Sequence, residues 1–164
     1  GPVVLVPLAW TFVAAAHLDV VRRRTFLIAH VVMATLLFAF AALSWSEMRS
    51  GALRTWRRVI AVGFGLTVAG AAGLASSPPF APLLGLAVVG WMLLPAVGLW
   101  DTGRRVVTFA DVYRAGGACS ALGALVYVFA PLVGPAATTT ATVAGLLLVG
   151  VGQTAGIVVA VVAD

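Results

Sequence analysis

Six long apolar runs, separated by short polar breaks, decide what this chain can fold into. They cover approximately Val3–Val20, Thr25–Ser44, Val59–Ala75, Phe80–Trp100, Ala115–Val133 and Thr138–Ala163. A helix crosses the hydrocarbon core of a bilayer with roughly 17–25 mostly apolar residues, so each run is a candidate span. In lipid only helices and closed barrels satisfy every backbone group. Barrel strands would be ~10 residues long with alternating polarity, and these runs are continuous. The reading is an all-α, polytopic transmembrane helix bundle of six helices.

Composition closes the soluble alternative. Apolar residues make up 62% of the chain and charged residues 9%, against about 45–50% and about 25% in a soluble domain. A chain this short has a large surface for its volume and too little polar material to cover it. Residues 3–164 therefore read as a single integral membrane domain, with membrane lipid as the first partner. Gly1-Pro2, without a Met, reads as the remnant of a protease site introduced for expression.

The breaks are chemically legible. Arg22-Arg23-Arg24 makes a short turn between the first two helices. The segment Trp45 to Arg58 carries Glu47, Arg49, Arg54, Arg57 and Arg58, and reads in part as an interfacial helix. Ser76-Ser77-Pro78-Pro79 and Gly134-Pro135 stop helices, because proline lacks an N–H and constrains the residue before it. Asp101 to Arg114 is the second charged connection. Trp45, Trp56 and Trp100 fall at expected headgroup levels.

Every basic residue is arginine, and with the heavy Ala, Val and Gly usage this fits a GC-rich prokaryotic genome. The second and fourth connections carry Arg49, Arg54, Arg57, Arg58, Arg104, Arg105 and Arg114. The positive-inside rule places them, and both termini, in the cytoplasm of a cell membrane. The Arg22–Arg24 turn then lies outside, against the rule. It is a candidate site for an anion or a lipid headgroup.

Sliding the chain on itself by half its length sets helix 1 on helix 4, helix 2 on helix 5 and helix 3 on helix 6. Arg22 then meets Arg105, Thr25-Phe26 meets Thr108-Phe109, and Ala61, Ala69 and Gly73 meet Ala144, Gly152 and Gly156. Three helices per unit would make this a 3+3 inverted repeat, a recurring plan of secondary transporters.

Small residues recur every fourth position at Ala61, Gly65, Ala69 and Gly73, and at Gly152, Gly156 and Ala160. Such stripes let helix backbones approach closely in lipid. Packing within one chain is the plain expectation; a homo-oligomer or a larger membrane complex is the alternative.

Polar groups at membrane depth cost free energy, so they are the candidate site residues. His17 and Asp19 lie near the end of the first span, His30 lies in the second, and Gln153 and Thr154 lie in the sixth. In a carrier these five would line the path of a small solute or ion. His17 and His30, the only histidines, flank the Arg turn at similar spacing. Facing one another they would ligate haem iron axially, with arginines near the propionates, as in a membrane b-type cytochrome. An interfacial pair reaching toward headgroups is the plain alternative. Cys119, the only cysteine, excludes an intramolecular disulfide and a CxxC motif.

Other chemistry finds no support. There is no hydrolase elbow, zincin motif or phosphate-binding glycine loop, no metal-ligand cluster, and no basic–aromatic surface for nucleic acid. The expectation is a small membrane transporter or channel-like carrier. The alternatives are the cytochrome and a structural subunit without substrate.

Overall fold

The computed structural model describes residues 2–162. The described residues form six α-helices: α1 Pro2–His17, α2 Arg23–Ser44, α3 Gly51–Ala75, α4 Ala81–Arg105, α5 Ala110–Phe129 and α6 Pro135–Val162, with a 3₁₀ turn at Ala130–Val133. There is no strand among the described residues. Five helices are long and apolar enough to cross a membrane, and α1 is a shorter apolar helix.

The first helix stops at His17, short of the expected Val20, for a definite reason. Asp19 sits at φ 57°, in the left-handed region. Its N–H bonds to Ala16 O at 3.2 Å and the Val20 N–H to Ala15 O at 3.0 Å. These are the two reversed bonds of a Schellman cap, with Asp19 where glycine is usual. The helix is therefore about 24 Å long at 1.5 Å per residue, short of the ~30 Å core.

α3 starts at Gly51, two turns ahead of the apolar run that announces it. The segment expected at the interface forms the first turns of this helix, with Arg54 and Arg58 exposed and Arg57 half-buried. Arg57 lies 4.5 Å over the Trp45 ring and donates to the Trp45 carbonyl at 3.4 Å. α4 runs on to Arg105, where Arg105 donates from Nε and Nη2 to the Asp101 carboxylate at 2.8 and 2.9 Å. α5 begins at Ala110 behind Phe109, which holds φ 57°. The expected end of the sixth helix at Ala163 lies outside the described residues.

The described chain divides into two compact units. The first contains α1, α4 from Pro95 onward, α5 and α6; the second contains α2, α3 and α4 up to Leu94. The core of the first is the α5–α6 pair, held at backbone distance by facing glycines. A Cβ on Gly116 would lie 2.5 Å from the Gly152 carbonyl oxygen, and one on Gly123 2.6 Å from that of Gly145. Gly156 leaves room for Leu99 of α4, which is fully buried. In the second unit α3 meets α4 through Gly63 under the Trp91 ring, and through Gly73 against Leu83 and Leu84.

The small residues expected to pack are thus partly displaced. Gly152, Gly156 and Gly73 do so, but Gly65 faces open space, Ala61 is half-buried and Ala69 is half-buried. On α3 the buried line is Val59, Gly63, Thr67, Gly70, Gly73 and Leu74. A stripe read at strict four-residue spacing drifts off the contact face, because about 3.6 residues make a turn.

Candidate functional site

An indole N–H inside an apolar span needs an acceptor, and each unit supplies one. In the first unit Trp10 of α1 donates to Gln153 Oε1 of α6 at 2.9 Å, and Gln153 Nε2 donates to Ser120 Oγ of α5 at 3.1 Å. Trp10, Gln153 and Ser120 are all buried. In the second unit Trp91 of α4 donates to Thr67 Oγ1 of α3 at 3.0 Å, and that hydroxyl bonds back to Gly63 O at 2.8 Å. Burying any of these groups unpaired would cost about 1–3 kcal/mol, which is why they come as sets.

The two sets are built alike. In both, the tryptophan comes from the first helix of one half of the sequence and the acceptor from the third helix of the other. Trp10 packs on Gly150, where an added Cβ would lie 3.2 Å from the Trp10 Cβ. The half-length shift that sets Arg22 on Arg105 also sets Thr67, the acceptor of Trp91, on Gly150. The same shift sets Gly70 on Gln153. Helix boundaries nearly keep it: α3 starts at Gly51 and α6 at Pro135, and α2 ends at Ser44 and α5 at Phe129.

Gly70 is where the second unit holds its histidine. A Cβ there would lie 2.8 Å from both Cδ2 and Nε2 of His30 and 3.1 Å from the Ala87 Cβ of α4. The missing side chain is the notch that receives the imidazole. His30 Nδ1 bonds to the Phe26 carbonyl at 3.0 Å, and the Phe26 ring meets the imidazole edge-on at 4.7 Å. Since a carbonyl only accepts, Nδ1 carries the proton and Nε2 keeps its lone pair. Nε2 has no hydrogen-bond partner among the described residues.

His17 belongs to the first unit and is engaged at both nitrogens. Nδ1 donates to Val13 O at 2.9 Å, and Nε2 meets the Tyr127 hydroxyl at 2.8 Å. Each histidine is thus tied within its own unit. Axial haem ligation would need His17 Nε2 to abandon Tyr127, so the donor set as it stands does not fit haem. No group of three His, Cys, Asp or Glu converges among the described residues.

The remaining candidates spread out. Asp19 is the exposed helix cap. Thr154 borders an α1–α6 groove of about 290 Å³ with Pro7, Trp10, Thr11, Leu147 and Gly150, and its hydroxyl is buried without a partner among the described residues. Arg22, Arg23 and Arg24 are exposed at the start of α2, where the helix dipole disfavours cations. Sequence reasoning missed Trp10, Trp91, Ser120, Thr67, Gly70 and Tyr127 as site-forming residues. The usable signal was the tryptophans, two donors deep in apolar runs.

The chain matches no protein-family model, no curated protein and no solved structure.

Proposed function

We propose that the chain is a small multi-pass membrane carrier for a small solute or ion, built from two equivalent three-helix halves that insert in opposite orientation. The observation that carries this reading is the recurrence of one construction in the two halves of the sequence, a tryptophan of a first helix bonded to a third helix of the other half. Inverted repeats of this kind place polar groups for a cargo at membrane depth. Each unit supplies its own: His30 at the Gly70 notch in one, Gln153 with Thr154 on α6 in the other. With both termini cytoplasmic in a prokaryotic plasma membrane, the arginine-rich second and fourth connections follow the positive-inside rule.

The test is flux through purified protein in liposomes. Swelling in urea and glycerol, valinomycin-driven entry of potassium and sodium chloride, and proton entry followed by trapped pyranine cover neutral, ionic and proton cargo. Flux of one probe above empty liposomes, lost in Gln153→Leu, supports a carrier. No flux of any probe overturns it in favour of a structural subunit.

A further inference from the structure

We infer that His30 Nε2 is the proton-binding site of this chain, and that the Gly70 notch is the seat the imidazole leaves when it takes a proton. The inference rests on the carrier reading and names its ion.

Three observations converge on this nitrogen. First, the bond to Phe26 O fixes the proton of the neutral ring on Nδ1, so the basic lone pair is on Nε2. Second, Nε2 has no partner among the described residues, whereas both nitrogens of His17 are engaged. Third, the ring lies in a space that exists only because residue 70 is glycine. Histidine is also the side chain whose charge changes in the physiological range.

The surroundings determine what protonation does. Beside the ring stand the α3 backbone at Gly70 and the Phe26 ring of α2, and the Ala87 methyl of α4 borders the same notch; none of them is titratable. The charges of the second unit's helices are Arg23 and Arg24 at the start of α2 and Arg54, Arg57 and Arg58 in the first turns of α3, more than three turns before Gly70; α4 up to Leu94 has none. No carboxylate lies among these helices to pair with an imidazolium. The neutral ring packs in the notch; the cation, with no counter-ion, is driven toward water. Nε2 takes a proton from hydronium on one side, the ring swings out of the notch, and the proton is returned on release. One N–H bond forms and later breaks, with no change in oxidation state.

The experiment pairs a titration with a flux measurement on the full chain. Imidazole ¹⁵N resonances, assigned with His17→Gln and His30→Gln, are followed with pH in detergent. Pyranine-reported proton entry is measured in liposomes under a potassium diffusion potential. His30 is expected to take up a proton at Nε2 as the pH is lowered. Gly70→Ala fills the notch and should change the titration midpoint of the ring, and His30→Gln should reduce proton entry at least tenfold. His17→Gln should leave it within twofold. A ring that does not titrate in the folded protein, or proton entry unchanged in His30→Gln, overturns the inference and leaves a carrier of another cargo standing. A titrating ring in a protein that passes no probe at all overturns the carrier reading and keeps the proton site.

Discussion

Replacing Gly152 by alanine adds one methyl group where no room exists. Its carbon would lie 2.5 Å from the Gly116 carbonyl oxygen and 3.1 Å from the Ser120 amide nitrogen and the Cys119 Cβ. The first contact is far inside ordinary van der Waals distance, and the atom it meets is backbone, so no rotamer relieves it. The α5–α6 pair must part, and a gap of about 0.5–1 Å already forfeits about a quarter to a half of each dispersion contact. Overpacking of this kind costs about 1–3 kcal/mol, and the backbone clash points to the upper end. Alanine returns about 0.8–1.0 kcal/mol of helix propensity, leaving a net loss of about 2 kcal/mol. Gly65→Ala provides the control, because nothing lies within 4 Å of its added Cβ. It should show the propensity gain alone, with the opposite sign. Thermal unfolding in detergent, followed by tryptophan fluorescence, should therefore lower Tm in Gly152→Ala and raise it slightly in Gly65→Ala. Equal shifts in the two variants, or no loss in Gly152→Ala, would refute the assignment of the backbone contact.

Gln153→Leu removes the acceptor of Trp10 and the donor to Ser120, and should cost about 1–3 kcal/mol in the same assay. A Trp10→Phe, Gln153→Leu double variant should lose less than the sum, because the indole N–H is no longer stranded; strict additivity would break the proposed chain of bonds. Asp19→Gly should raise stability by about 0.5–1 kcal/mol by relieving the left-handed cap, and a lower Tm would contradict the cap geometry. Protein produced with ample haem should show no Soret band before or after dithionite; a sharp reduced α band would mean that His17 exchanges Tyr127 for iron.

The helical membrane class was written in the continuity of the apolar runs, and the breaks at Ser76–Pro79 and Gly134-Pro135 were written in residues that cannot continue a helix. Helix ends were less legible. Hydropathy sees Leu18 and Val20 as span, but the backbone angle of Asp19 ends α1; it sees Arg54 as loop, but long arginine side chains let α3 include it. The site was legible only in part. Gln153 and His30 stood out as costly polar groups, while their partners Trp10, Ser120 and Gly70 read as ordinary apolar or small residues. Which of many glycines makes a contact depends on helix rotation, and a list of spacings does not contain that angle. Gly65 and Gly70 look alike in sequence, yet one faces open space and the other holds an imidazole.

The first unit is assembled from the two ends of the sequence, residues 1–21 and 95 onward, while the second is one unbroken stretch. Synthesis therefore completes them in a fixed order. The second unit has all its partners once α4 emerges, but the Trp10 indole waits for an acceptor 143 residues later. At about 5–20 residues per second that wait is about 7–30 s. Through that interval α1 is a short apolar helix whose indole donor lacks the acceptor it holds in the finished structure.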